Sequence, residues 1–156
     1  MLDEGKCWCG AAIFYDGCTA SEYHDPYDIA PTELPRKLYL SGPMSGYTDC
    51  NYPAFNSAAA NLRSLGYMIV NPAENATGRS YRAILAEDIR ELTHCEGVAL
   101  LDHWWLSTGA RLEVQVAGVL QMPVMPIADW INRALAQRAD ERAAAIAGAA
   151  NTQDPR

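Results

Sequence analysis

Gly97-Val98-Ala99-Leu100-Leu101 is an unbroken apolar run, closed at once by the acid Asp102. A strand with one wet face alternates; a continuous run is the pattern of a strand covered on both faces, as in a parallel sheet between helices. Upstream of it, residues 80–94 carry apolar side chains at helical spacing, with Ser80 as a candidate cap. Residues 67–70 read as a short strand running into Asn71-Pro72. Residues 53–65 read as a helix with Phe55, Ala58, Ala59 and Leu62 on one face, stopped by Gly66. Lys37-Leu38-Tyr39-Leu40-Ser41 is a strand ended by Gly42-Pro43. Downstream, residues 109–120 form a third helix, 124–127 a fourth strand and 130–149 a last helix, rich in Ala and Arg. Strand and helix alternate throughout with short connections. This pattern predicts an α/β fold: a small doubly wound parallel sheet, Rossmann- or flavodoxin-like, flanked by helices.

The rest of the chain frames that core. Residues 1–35 hold turn formers (Gly5, Gly10, Gly17, Pro26, Pro31, Pro35) and no sustained period, so an irregular extension is expected there, followed by an α/β domain over 36–150 and a fraying tail over 151–156. Cys7, Cys9, Cys18 and His24 offer three thiols and an imidazole, the donor set of a tetrahedral zinc site. The Cys-x-Cys spacing lacks a second paired knuckle, however, and the reading favoured is unpaired cysteines with no metal and no cofactor. The net charge of −7, from 19 acidic and 12 basic residues, argues against a nucleic-acid polymer as partner. A single nucleotide needs only one local anion site and stays allowed. No apolar run approaches the roughly 18 residues that span a bilayer. The first residues lack the basic-then-apolar pattern of a secretory signal, so a cytoplasmic, reducing location is expected.

In open α/β sheets ligands bind beyond the carboxyl ends of the strands. Residues 42–51, 71–79 and 102–108 arrive there. On the helix that follows the last of these, Leu112, Val116, Ala117 and Leu120 form an apolar stripe, and Glu113 falls on it. A carboxylate aimed at a core is costly unless hydrogen-bonded or functional. The helix N-terminus favours its charge, and the bland alternative is a capping box. Asp88 shares the apolar face of Tyr81, Ile84, Leu85, Ile89 and Leu92, while Glu87 and Glu91 read as solvated. Asp102, at the end of the buried strand, is a third inward candidate. Ser107, Thr108 and Gly109 offer hydroxyls and free N–H groups at a helix start, an anion site or a plain N-cap. Trp104 and Trp105 could stack on a base or bury an oligomer contact.

Taken in order, the opening from Tyr39 to Gly46, the helix bearing Asp88 and the run from Ser107 to Glu113 resemble the nucleoside 2-deoxyribosyltransferase superfamily, including its deoxynucleoside-monophosphate N-glycosidases. The resemblance is strongest to small phage and bacterial members and covers residues 36 to about 128. It implies Glu113 as nucleophile, Tyr39 as the residue steering it, Asp88 near base and sugar, and Asp102 as an acid at the strand end. It implies substrate contacts from Ser41, Gly42, Pro43, Met44, Ser45 and Gly46, and a 5′-phosphate held at Ser107, Thr108 and Gly109. Two positions depart from the pattern: Gln115 replaces a common glycine, and Ser45 stands where the monophosphate hydrolases often carry arginine, a charge Arg79, Arg82 or Arg111 could supply. The activity implied is cleavage of the N-glycosidic bond of a nucleotide, in a homodimer or larger homo-oligomer. Transfer of the sugar to a second base is the alternative outcome. The rivals from other classes are a non-catalytic nucleotide sensor and a zinc-dependent interaction protein using residues 1–35.

Overall fold

The strands line up side by side, as the alternation requires. The computed structural model describes residues 35–74 and 80–151. Within them, β1 (Lys37–Ser41), β2 (Met68–Val70), β3 (Gly97–Leu100) and β4 (Val124–Pro126) form a wholly parallel sheet in the order β2-β1-β3-β4. Between them run α1 (Tyr52–Ser64), α2 (Tyr81–Leu92) and α3 (Thr108–Val119), and α4 (Ile127–Asn151) follows β4. At the carboxyl edge the register places Ser41 beside Leu100 and Leu100 beside Pro126.

Two-residue alternation divides the strands between two cores. Leu38 and Leu40 of β1 face Phe55, Ala58, Ala59 and Leu62 of α1 and Trp130 and Ala134 of α4. Tyr39 goes the other way and joins Val98, Leu100 and Val124 under Leu92 of α2 and Ala117 of α3. Trp130 is fully buried, and its indole N–H donates to the Val98 carbonyl at 3.0 Å. Its ring meets Tyr67 edge-on, with centroids 5.9 Å apart. Truncating such a residue to alanine costs about 3–5 kcal/mol. α1 stops where sequence places its stop: Gly66 takes φ +100°, and the N–H groups of Gly66 and Tyr67 close on the carbonyls of Arg63 and Leu62.

Several local readings need correction. Residues Pro72–Glu74 and Trp104–Leu106 form short 3-10 helices, and Thr48–Asn51 is a tight turn through left-handed backbone. α4 starts at Ile127, directly on Pro126, and not at Trp130. The stripe expected on α3 is rotated: Ala110, Glu113 and Ala117 are buried, while Leu112 and Leu120 are 38% and 48% exposed. Small residues on the inner line let α3 lie close to the sheet, which turns the leucines to its flanks. α2 sits less deeply than its pattern suggests, with Tyr81 exposed and only Leu92 fully buried, and Glu87 and Glu91 are half-buried rather than solvated. Residues 135–148 of α4 are exposed throughout. No helix among the described residues is long and apolar enough to cross a membrane. The candidate zinc ligands Cys7, Cys9, Cys18 and His24 lie outside the described residues, as do Arg79 and residues 152–156.

Candidate active site

β1 and β3 are neighbours whose connections leave on opposite faces, β1 through α1 and β3 through α3. Such a switch point opens a crevice at the carboxyl ends of the strands. Tyr39 and Ser41, two residues apart on β1, both face the α3 side there. Glu113 reaches them from α3. The Ser41 hydroxyl donates to Glu113 Oε2 at 2.6 Å, and the Tyr39 hydroxyl donates to Oε1 at 3.2 Å. Glu113 is 6% exposed, Ser41 1% and Tyr39 0%.

This is no capping arrangement. The N-cap of α3 is Ser107, whose Oγ accepts the Ala110 N–H at 3.2 Å. Ala110 therefore occupies the position a capping-box glutamate would take, and Glu113 lies in the second turn of the helix. There the helix dipole, which acts mainly within the first turn, helps little. Burial dominates instead and pushes the Glu113 carboxyl up to about 7, against the two hydroxyl donors that pull it down and with the negative charge of Asp88 adding to the rise. Tyr39 is driven well above the ordinary phenol range by burial first, then by the charges of Glu113 and Asp88, so it stays a proton donor.

Asp88, half-buried on α2, thus acts electrostatically on both Glu113 and Tyr39, as the periodicity of its helix suggests. Asp102 does not share their burial. It stands exposed where the chain turns out of β3, and the inward position expected for it is not found because the strand has already ended at Leu100. With Trp104, Trp105, Leu100, Leu101 and Pro126 it lines a cleft of about 470 Å³ on the β4 side. Two of the three expected acids converge, and the third serves a neighbouring surface.

The loop after β1 is shaped by packing. A Cβ on Gly42 would come within 2.8 Å of Leu101 Cβ, so only glycine fits there. Pro43 is buried and accepts a 2.8 Å hydrogen bond from the Asn51 amide, Met44 is half-buried, and Ser45 and Gly46 are exposed. Asp49, Cys50 and Asn51 are three successive left-handed residues leading into α1. On α3, Thr108 is exposed and Ser107 and Gly109 half-buried. A Cβ at Gly109 would meet nothing nearer than 3.7 Å, so the fold itself does not demand glycine there. Arg82 and Arg111 are both exposed.

The sequence model of a family described as a domain of unknown function, DUF4406, matches residues 36–126. The chain belongs to this family. The match runs from the residue before β1 to the end of β4, so every residue of the Glu113 cluster lies inside the DUF4406 domain. Among curated proteins, nothing matches the chain. Ser41, expected among the substrate contacts, also donates its hydroxyl to Glu113, a partner that the sequence reading did not assign to it. The signal was present in the two-residue spacing from Tyr39, which puts both hydroxyls on one face of the strand.

Proposed function

We propose that this DUF4406 domain binds a nucleoside 5′-monophosphate and hydrolyses its N-glycosidic bond, with Glu113 as nucleophile. The observation that supports the reading above all others is a buried carboxylate at the sheet's switch point, gripped by two hydroxyls. Structural carboxylates are seldom left with an elevated affinity for a proton in such a crevice, and perturbed carboxyls concentrate at reactive sites. With its titration near 7, Glu113 is partly ionised at neutral pH and increasingly so above it.

In the first step an oxygen of ionised Glu113 bonds to C1′ of the sugar as the C1′–N bond breaks. The bonding pair leaves with the base, which takes a proton from an acid, a role that falls to Asp88 in its protonated form, the carboxyl within electrostatic reach of Glu113. Water then attacks C1′ and gives its proton to the Asp88 carboxylate left by the first step, and the ester bond breaks, restoring the Glu113 carboxylate and releasing the sugar phosphate. If a second base replaces that water, the same intermediate gives base transfer. Ser107, Thr108 and the N-terminal N–H groups of α3 would hold the phosphate, and Gly109, which the fold does not require, would let it approach the backbone.

The test is incubation with a panel of nucleosides and 5′-monophosphates while free base is followed chromatographically. Release by the wild-type protein and none by Glu113→Gln is the expected result. Equal release by both would remove Glu113 from the chemistry.

A further inference from the structure

We infer that Ser41 is a positioning residue that pins Oε2 of Glu113 and thereby presents Oε1 as the attacking oxygen, an inference that rests on the glycosidase reading above. The two hydrogen bonds to Glu113 are unequal. At 2.6 Å, the one from Ser41 has the length of a charge-assisted O–H···O⁻ bond, whereas 3.2 Å from Tyr39 lies beyond the usual range for such donors. Oε2 is therefore the anchored oxygen and Oε1 the looser one. Ser41 is 1% exposed, and its hydroxyl is committed to the carboxylate.

Its own placement is rigid. The Ser41 carbonyl accepts the Leu101 N–H at 2.9 Å, and the next residue, Gly42, is packed so close to Leu101 that no side chain fits between them. Glu113 is carried by a helix whose start is fixed by the Ser107 cap. The reacting group is thus held from two independent, well-packed elements, which is what directional attack requires.

The chemistry follows the charge. When Oε1 bonds to C1′ and the C1′–N pair leaves with the base, Oε2 becomes the carbonyl oxygen of an ester and its bond from Ser41 weakens. When water attacks C1′ and the ester bond breaks, negative charge returns to Glu113 and the Ser41 bond strengthens again. Loss of the hydroxyl therefore slows release of the sugar more than its capture, and glycosyl enzyme accumulates. The groups that set the titration of Glu113 are Tyr39 and Ser41 from β1 and Asp88 from α2. Of these, Ser41 is the stronger of the two that favour the ionised form.

The experiment compares wild type, Ser41→Ala and Ser41→Thr, with Ser41→Cys in reserve should the alanine variant fail to fold. Three readouts are taken: the carboxyl titration of Glu113 by carbon NMR, base-release kinetics, and intact mass during turnover. For Ser41→Ala the titration of Glu113 is expected to move up by about one pH unit or more, the loss of one charge-assisted hydrogen bond. Its kcat is expected to fall about tenfold or more with KM unchanged or lower, and the covalent adduct to become visible by mass. Ser41→Thr should recover most of both. An unmoved titration overturns the inference whether or not base is released, as does an unchanged kcat in an active protein. A wild-type protein that releases no base, combined with a shifted titration, would sink the glycosidase reading and the assignment of Oε1 with it, leaving only a hydroxyl–carboxylate contact.

Discussion

Replacing Glu113 by glutamine should stabilise this protein, and only above mildly acidic pH. The folded protein holds the Glu113 carboxyl at about 7, against 4.5 for the ordinary group. Folding therefore favours the protonated form. Below the unfolded value both states carry the proton and nothing is lost. As pH rises, the unfolded chain ionises first and is favoured; stability falls until the folded group also ionises, near 7. The full penalty, present above neutrality, is about 3 kcal/mol, since each pH unit is worth about 1.4 kcal/mol. Glutamine has no such penalty, and it can still satisfy Tyr39 and Ser41 because a hydroxyl either donates or accepts. For a domain of this size about 3 kcal/mol corresponds to roughly 10 °C in Tm. Thermal melts of both proteins at about pH 5 and about pH 8 measure it: the Tm advantage of Glu113→Gln should grow by roughly that amount between the two. Titrating groups remote from Glu113 cancel in the comparison. If the two proteins lose stability in parallel over that interval, the burial penalty at Glu113 is absent and the reasoning fails.

Three further outcomes can be checked. Asp88→Asn removes the proposed proton donor, so turnover should fall and the alkaline limb of the pH–rate profile flatten while the acidic limb, where Glu113 must ionise, persists; unchanged turnover at all pH values would make Asp88 structural. Ser107→Ala deletes the α3 cap and should cost about 1 kcal/mol in denaturant titration. If the phosphate docks there, affinity for monophosphates should drop more than affinity for nucleosides, by roughly tenfold or more, in calorimetric binding. Tyr81, Trp105, Leu106, Leu112 and Leu120 are all exposed, which fits a contact with a second copy, so light scattering should give at least a dimer and a monomer would refute this.

Much of the fold could be read before any coordinates. Continuous apolar strands and helices at 3.6-residue spacing are signals a chain cannot hide, and β1 begins and ends where its pattern does, at Lys37 and Ser41. Glu113 was legible for a simple reason: a charged residue in line with Val116 and Ala117 has to be explained. The errors lie where several arrangements satisfy the same pattern. Leu112 and Leu120 look more buriable than Ala110, yet close packing against the sheet chose the small residues. Asp102 follows a buried strand directly, but one residue of turn is enough to bring it out. The left-handed run at Asp49, Cys50 and Asn51 carries no glycine to mark it. Its backbone is set by the path from Gly42 into α1 and by the Asn51 bond to Pro43, neither of which is local enough to read.

Among the described residues the strand order leaves β2 and β4 at the rims of the sheet, where unpaired backbone groups invite another chain to add on. Both rims are poor templates. β2 and β4 are only three residues long, and β4 is bracketed by Pro123 and Pro126, which have no N–H to offer. An incoming strand would find a donor only at Val124 along that stretch, because the register turns the backbone of Pro123 and Met125 toward β3, and α4 begins at once beyond them. The proline that ends β4 therefore guards it against aggregation. A Pro126→Val exchange, harmless to the sequence pattern of a buried strand, would add an outward donor to this rim.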